Sequence, residues 1–488
     1  KGDLDRSSLT LQTIKMPEQA TRMAWLAQTI KALSGSGIIY TLTIRDAHTL
    51  AKWLSSQGIK AEAYSGQSGD ERPQLEDALI NNELKVLVAT TALGMGFDKP
   101  DLAFVIHYQM PGSVVAYYQQ VGRAGRALDS AYGVLLCGNE DNEITDFFIN
   151  SAFPAQHEVS EILNALGQSN LGLTETELLS AVNLKQNRLR QALKLLSFER
   201  PAPVAKQDRR WQLTTAPVNT SFWERAERLK QLRYYEREQM EEYAKLPFGQ
   251  HMAFLIRALD GDTHNLQSPK LPPLSENVSP VIKEAAINFI KNSNLAIEPR
   301  KKWPNGGMPK YNVRGNIAPE YQAQEGRALG AWGDGGWGSL VKKGRYQENY
   351  FSDELVQACV DMYRAWNPSP APTWVTCIPS ARHPDLVPGF ASRLAQALGL
   401  PFSPVLVTHN ELRPEQKGMA NTIQQARNVD GSLNISNEHT VYNGPVLLID
   451  DIVNSRWTFT IASWLLRRKG SGPVWPLALA SSGTQNES

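Results

Sequence analysis

Between residues 37 and 150 short apolar runs alternate with longer stretches of mixed polarity. GIIYTLT (37–43), KVLVAT (85–90), FVIHYQ (104–109) and YGVLLC (132–137) are nearly unbroken apolar segments. RDAHTLAKWLSSQG and YYQQVG, lying between such runs, carry helical spacing. Short apolar strands separated by helices predict a parallel sheet covered on both faces. The period changes over residues 156–215. Val159, Ile162, Leu163 and Leu166 form one helical stripe, Thr174 and Glu177 make a capping box, and Leu189, Leu193 and Leu196 mark the buried face of a third helix. A Pro-x-Pro break follows, and VAKQDRRWQLT then reads as a β-hairpin, so the outline is that of a winged helix. Residues 219–246 read as one long helix, with six acidic and six basic residues in mixed order, which is the pattern of a solvated connector. SPKLPPLSENVSP (268–280) and GRALGAWGDGGWGSLVKKG (326–344), on either side of a short helix at 281–292, read as linker or loop. WVTCIPS (374–380), FSPVLV (402–407), PVLLID (445–450) and VWPLALA (474–480) are strands of a second α/β region.

This organisation predicts four parts: an α/β lobe over 1–150, a winged helix over 151–218, a helical and Gly/Pro-rich connector over 219–344, and a second α/β domain over 345–488. A length of 488 residues is consistent with several domains, and a net charge of +1 leaves partners to be read from local charge. Cys137, Cys359 and Cys377 are widely spaced and form no CxxC pair; His251 and His264 are isolated. The expectation is three reduced thiols in a cytoplasmic protein, with no zinc and no other metal site. No apolar run approaches the ~18 residues of a membrane span, so no membrane partner is expected.

QQVGRAGR (119–126) presents Arg123 and Arg126 three apart. A guanidinium fork matches phosphate oxygens, although two such arginines also serve to pair carboxylates. Together with GIIYTLTIRDAHTLAKWL (37–54) and TTALGMGFDKPD (90–101), this segment resembles motifs of superfamily 2 helicases, most closely those of RecQ-type DNA helicases. The resemblance implies a second RecA-like lobe. It makes Arg126 the arginine finger for ATP held on another lobe, with Arg123 and Gln119 beside it. Asp98 and Gly96 would face the nucleotide, and Tyr64, Ser65 and Thr90 the DNA backbone. It also implies Mg²⁺ as the companion of ATP, single-stranded DNA and a duplex junction as partners, and 3′→5′ unwinding. The phosphate-cradling G-x-x-x-x-G-K-[ST] is missing, since no Gly-Lys dipeptide occurs, and no DExH follows an apolar strand. The chain also opens without Met, about where an inter-lobe linker would lie. The expectation is the C-terminal portion of a longer helicase, inactive alone as an ATPase.

Between 185 and 210 the sequence holds Lys185, Arg188, Arg190, Lys194, Arg200, Lys206, Arg209 and Arg210 against only Glu199 and Asp208. Such residues give salt-sensitive phosphate contacts, and Trp211 beside the hairpin tip would stack on a base. The alternative is a protein-contact module with Trp211 in its core. RecQ-type helicases, by the same resemblance, place a winged helix after the motor.

PVLLIDDIVNSRWTFTIASWLL (445–466) is an apolar strand ending in two carboxylates, then a short loop, then a helix. Free amides at a helix start suit an anion, and Asp450 and Asp451 suit ribose hydroxyls. The segment resembles the phosphoribosyl pyrophosphate loop of type I phosphoribosyltransferases. RPEQKGMANTIQQARNVDGSL (413–433) and PSARHPDLVPGFASRLAQALG (379–399) resemble the ComF-type branch. The loop itself is filled by Asn454, Ser455, Arg456, Trp457 and Thr458, and Arg456 stands where the family has Gly. That bulky pair either plugs the 5′-phosphate pocket or adds a charge to it. Three readings stand: a transferase, a sensor of phosphoribosyl pyrophosphate or a related nucleotide, and a remnant reused for DNA or protein contact. Across the chain the alternatives to a helicase are a phosphoribosyl-handling enzyme with a vestigial motor lobe and a non-catalytic DNA-binding adaptor.

Overall fold

The computed structural model describes residues 5–93, 97–264, 266–408, 413–414 and 418–482; Gly96 lies outside the described residues. The chain forms two compact units, one of Lys1–Phe153 with Asn219–Phe289, the other of Pro154–Val218 with Ile290–Ser488.

The first unit is built on strands β1 (Leu9–Lys15), β2 (Ser36–Tyr40), β3 (Ala61–Tyr64), β4 (Val86–Ala89), β5 (Leu102–His107) and β6 (Ala131–Cys137). They lie in the order β1-β6-β5-β2-β4-β3, and every pairing is parallel. Helices α1 (Gln19–Ala32), α2 (Ile44–Ser56), α3 (Arg72–Ile80), α4 (Val114–Val121) and α5 (Asp141–Ser151) connect or follow them. Consecutive residues of β4 are all buried, so both faces of the sheet are covered, as the unbroken apolar runs require. The α/β parallel-sheet lobe anticipated from the sequence is therefore present. β1 adds a sixth strand that the mixed LTLQTIK pattern did not announce.

Residues 154–218 leave this unit. They form α6 (Gln156–Gly167), α7 (Glu175–Ala181), α8 (Gln186–Ser197) and the antiparallel hairpin β7 (Val204–Gln207) and β8 (Arg210–Leu213). Thr174 caps α7 in the expected box with Glu177. Leu189, Leu193 and Leu196 are fully buried.

The stretch read as one connector, 219–344, is divided between the two units. α9 (Thr220–Tyr243) is exposed along most of its length, but its last turn buries Met240 and Tyr243. The Tyr243 hydroxyl donates to that of Tyr117 at 3.1 Å. α10 (His251–Ala258) follows, and His251 meets the Thr13 hydroxyl at 3.1 Å. The proline-rich segment is pinned rather than loose. Leu271 N–H donates to Thr10 Oγ1 at 3.1 Å, the Gln12 amide bonds both the N–H and the carbonyl of Leu274, and Trp25 Nε1 donates to the Ser275 carbonyl. Proline cannot donate to a strand edge, so side chains of β1 and α1 supply the bonds that a further strand would have made. α11 (Pro280–Asn292) then runs out of the first unit.

The second unit continues with β9 (Leu295–Ile297), β10 (Gly326–Ala331), α12 (Trp337–Lys343), α13 (Asp353–Trp366), β11 (Trp374–Cys377) and α14 (Leu386–Leu398). It ends with β12 (Leu406–Thr408), α15 (Thr422–Val429), β13 (Leu433–Ile435), β14 (Val446–Val453), α16 (Trp457–Arg468) and β15 (Val474–Ser481). Its sheet has the order β11-β14-β15-β10-β9, parallel except for β9. The Gly-rich segment read as a linker thus supplies a buried strand. A Cβ at Gly326 would lie 2.3 Å from the Pro476 carbonyl oxygen, so the absence of a side chain there is what lets β10 close on β15. Trp337 packs under Lys291 and donates to its carbonyl at 2.8 Å. FSPVLV yields only the short β12, paired with β13 outside the main sheet. Along β14, Val446 and Leu448 enter one core and Leu447 and Ile449 the other, the period of two expected of a strand buried on both faces.

α15 grips the three-helix segment. Asn421 Nδ2 donates to the carbonyls of Leu179 (3.1 Å), Val182 (3.1 Å) and Leu184 (2.9 Å), while its Oδ1 accepts from Gln424 N–H at 2.9 Å and so caps α15. Asn183 returns two bonds, donating to the Gly418 carbonyl at 2.8 Å and accepting from Ala420 N–H at 2.7 Å.

The closeness of β2 to β5 gives a direct test of the first core. A Cβ at Gly37 would stand 2.2 Å from the Phe104 ring. Gly37→Ala is expected to destabilise the first unit by about 1–3 kcal/mol through overpacking, read by urea denaturation.

Candidate functional site

In the first unit α4 starts at Ser113, whose hydroxyl accepts from Ala116 N–H, and stops at Gly122. Gly125 takes φ +66 and turns the chain so that Arg126 emerges into solvent. Arg126 Nη1 lies 2.8 Å from Asp98 Oδ1, with 43% and 55% of the two side chains exposed. The two residues assigned to phosphate and ribose from separate motifs are therefore adjacent and accessible. Arg123 behaves differently. It is 8% exposed and donates from Nη1 to the Phe97 carbonyl at 2.7 Å, which anchors the segment bearing Asp98. In this geometry the side chain faces the interior and does not reach out. Gln119 is exposed, whereas Gln120 turns inward to His107 Nε2 at 2.7 Å. Burial pushes the His107 imidazole down to about 4.

The residues assigned to the DNA backbone are largely internal. Tyr64 is 3% exposed and donates to Glu76 Oε1 at 2.5 Å; burial, with that carboxylate, pushes its phenol up to about 12. The Ser65 hydroxyl accepts from Gln67 N–H and its own N–H donates to Ser68, so it caps the turn that follows β3. Thr90 is buried and its hydroxyl accepts from Ala92 N–H. All three side chains are spent on closing the ends of β3 and β4, because a buried hydroxyl must find a partner.

In the three-helix segment several of the basic residues are already neutralised. Arg188 pairs with Glu158 at 2.8 Å, Arg190 with Glu175 at 2.7 Å and Arg210 with Glu177 at 3.1 Å. Lys185, Lys206 and Arg209 are exposed. Trp211 is not presented for base stacking. It is 8% exposed, and its backbone bridges to Leu173 in both directions. Lys206 Nζ covers its ring at 5.5 Å from the centroid.

In the second unit Asp450 and Asp451 lie within β14, which runs on to Val453 rather than ending at the two carboxylates as expected, and both are engaged internally. Arg345 forms an ion pair with Asp451, and Asp451 N–H donates to Asp450 Oδ1 at 2.9 Å. Burial pushes the Asp450 carboxyl up to about 7 against the opposing pull of Arg345. Arg456 takes φ +67, a left-handed conformation that favours glycine, immediately before α16. Its side chain runs out towards Glu298, 3.9 Å from Oε2. Trp457 is 1% exposed, donates from Nε1 to the Thr422 carbonyl at 3.1 Å, and lies under the Arg300 guanidinium at 4.0 Å. The Arg–Trp pair therefore does not plug the loop: Trp457 belongs to the core and Arg456 to the rim. Thr458 is half-buried.

Beside this loop is a cavity of about 350 Å³, lined by Asn454, Ser455, Arg456, Arg300, Gln425 and Lys185 among others. Asp450, Asp451, Trp457 and Thr458 are not in its lining. Arg300, Glu298, Ser481 at the end of β15 and Ser482 after it were not singled out in the sequence, since nothing local marks them. Only their convergence with the 454–456 loop does. Burial and the neighbouring Arg456 pull the Arg300 guanidinium down to about 10.

Among the described residues no group of three His, Cys, Asp or Glu side chains is arranged to hold a metal, and no helix is long and apolar enough to cross a membrane.

The titration of Asp450 sets a measurable pH dependence. An ordinary aspartate loses its proton near 3.8, whereas this one holds it in the fold to about 7. Between those values the folded state binds the extra proton, so this group's contribution to stability falls as pH rises through the window. In urea denaturation, Asp450→Asn is expected to gain on the wild type steadily from about pH 4 to about pH 7, and to show no further relative change above it.

Residues 21–128 match the family described as the helicase conserved C-terminal domain. The chain is 36% identical over 152 residues to the ATP-dependent DNA helicase RecQ of Synechocystis sp., covering 29% of this chain and 32% of that one. It is 31% identical over 168 residues to the probable ATP-dependent DNA helicase RecS of Bacillus subtilis, covering 34% of each. Among solved structures it is similar to the E. coli DEAD-box protein SrmB, with 24% identity and a TM-score of 0.27 over 29% of this chain and 84% of that one. The chain spans about a third of the length of the curated relatives it matches. The stretch that carries Asp98, Arg123 and Arg126 thus matches a helicase C-terminal domain and is similar in sequence to RecQ helicases.

Proposed function

We propose that this chain is the C-terminal part of an ATP-dependent RecQ-like DNA helicase that unwinds DNA in the 3′→5′ direction. The observation that carries this is the exposed pair of Arg126 and Asp98, brought together from two motif segments. A guanidinium and a carboxylate so placed fit a phosphate and a ribose hydroxyl respectively. The chain has no Gly-Lys phosphate cradle of its own. ATP with Mg²⁺ would therefore be held chiefly by another lobe and would supply the phosphoryl group that is transferred. Arg126 then stabilises charge developing on that group, Asp98 orients the sugar, and Arg123 holds Asp98 in place. Gln119, exposed on the same helix, is the remaining side chain assigned to this edge.

In this reading the three-helix segment with its hairpin acts as a winged helix on DNA, with Lys206 and Arg209 as its phosphate contacts. The C-terminal α/β domain is phosphoribosyltransferase-like. The internal engagement of both Asp450 and Asp451 favours a sensor or contact module over a transferase.

Two measurements test these assignments. In a protein joining this chain to a nucleotide-cradling lobe, Arg126→Ala is expected to lower kcat for DNA-stimulated ATP hydrolysis by about 10³-fold or more while leaving DNA affinity unchanged. A loss smaller than tenfold would remove Arg126 from the finger role. Replacing Lys206 and Arg209 by Ala is expected to weaken DNA binding by this chain and to lower the slope of log K against log salt by roughly 2, measured by fluorescence anisotropy.

A further inference from the structure

We propose that the outer face of α9 is a self-association surface, on which a second copy of this chain lays its own α9 antiparallel. This face lies outside the residues assigned to ATP, DNA or a phosphoribosyl ligand.

α9 has one side occupied and one side open. The Tyr234 hydroxyl donates to Asn150 Oδ1 at 3.2 Å and Arg237 pairs with Asp146, so the side carrying these two residues lies against α5. At about 3.6 residues per turn Leu232 stands opposite that side, flanked by Leu229 and Tyr235. Leu229, Leu232 and Tyr235 are 42%, 49% and 57% exposed. They form a short apolar stripe near the middle of a 24-residue helix whose outer face is otherwise charged.

Charge selects the occupant. Counted over the whole segment the two signs are mixed, but by position they are segregated. Up to Tyr234, Arg225, Arg228, Lys230 and Arg233 outnumber Glu224 and Glu227; beyond it, Glu236, Glu238, Glu241 and Glu242 outnumber Arg237. The first turn holds no acidic residue and the last no basic one. A helix dipole favours the reverse order, so these charges are not arranged for the stability of α9 by itself. Ion pairs within the helix use only part of the set, Arg233 with Glu236 at 2.9 Å and Arg237 with Glu241 at 3.4 Å. Arg228, Glu238 and Glu242 are exposed and form no ion pair among the described residues.

A second α9 laid antiparallel answers this pattern in full. Its basic first half falls beside the acidic second half, and the two helix dipoles oppose. With the two-fold axis between Leu229 and Leu232, Leu229 of each copy packs on Leu232 of the other. Arg225 and Arg228 of each then face the turn from Tyr235 to Glu238. The contact uses the same patch on both copies, as a two-fold interface requires. A parallel pair would set like charges side by side, and nucleic acid does not suit the face, because the four glutamates of its second half repel phosphates.

The experiment is sedimentation velocity on the whole chain over a range of protein and salt concentrations. A monomer–dimer equilibrium that weakens as salt rises is expected. Arg225→Glu/Arg228→Glu and Glu236→Lys/Glu238→Lys are each expected to weaken it roughly 100-fold or more, because like charges then face one another. An equimolar mixture of the two variants is expected to regain the dimer, since the acidic first half of one meets the basic second half of the other. Leu232→Cys, beside the axis, is expected to form a disulfide between copies, and Glu224→Cys, far from it, is not. Cross-linking at both positions overturns the antiparallel arrangement. So does a mixture that stays monomeric although circular dichroism shows both variants folded. A dimer that ignores both charge reversals lies on another surface and overturns the assignment. A chain that remains monomeric up to about 100 µM also overturns it. If Leu232→Glu then lowers the affinity of that monomer for a separately supplied nucleotide-cradling lobe, the stripe belongs to that lobe instead.

Discussion

A parallel strand buried on both faces has no side chain to spare for solvent. The central strands of both sheets obey that constraint. β4 is buried at every position and β14 feeds two cores from alternate residues. Most of the side chains singled out as candidates lie in the segments that follow the strands: Asp98 beyond β4, Arg126 between α4 and β6, and the 454–456 loop beyond β14. The strands fix these loops in space, and the loops carry what varies.

Within those loops the fate of each arginine follows from what lies behind it. Arg123 meets a backbone carbonyl in the interior and becomes a strut, whereas Arg126 is carried past a left-handed glycine into solvent and meets Asp98. A guanidinium never gives up its charge, so a buried one must be satisfied by the protein and an exposed one stays available. Arg345 and Arg300 are both half-buried, and they differ in what they meet: Asp451 for the first, a cavity for the second.

In the second unit one amide joins two parts of the chain. Asn421 satisfies three carbonyls in and after the last turn of α7 and caps α15 with its oxygen. The carbonyls at a helix end have no partner within the helix, and here a side chain more than 200 residues away supplies one. That contact sets the start of α8 beside the 454–456 loop, so that Lys185 and this loop line one cavity.

Much of this protein is determined by sequence alone. The strand runs of the first lobe, the capping box at Thr174, the three-helix stripe with its hairpin, and the apolar run of β14 are local patterns, and the described structure has each of them. The motif segments single out Asp98 and Arg126 by residue type and spacing. Other features were decided only by tertiary structure. β1, β10 and the pinning of the proline-rich segment depend on partners more than a hundred residues distant, and no local period announces them. Tyr64, Ser65 and Trp211 carry functional chemistry by type, but are drawn inward because strand ends and hairpins need their hydrogen bonds and their bulk. A sequence states which groups are present and how they repeat. Which charges are neutralised and which remain open depends on the carbonyls and carboxylates that folding brings beside them.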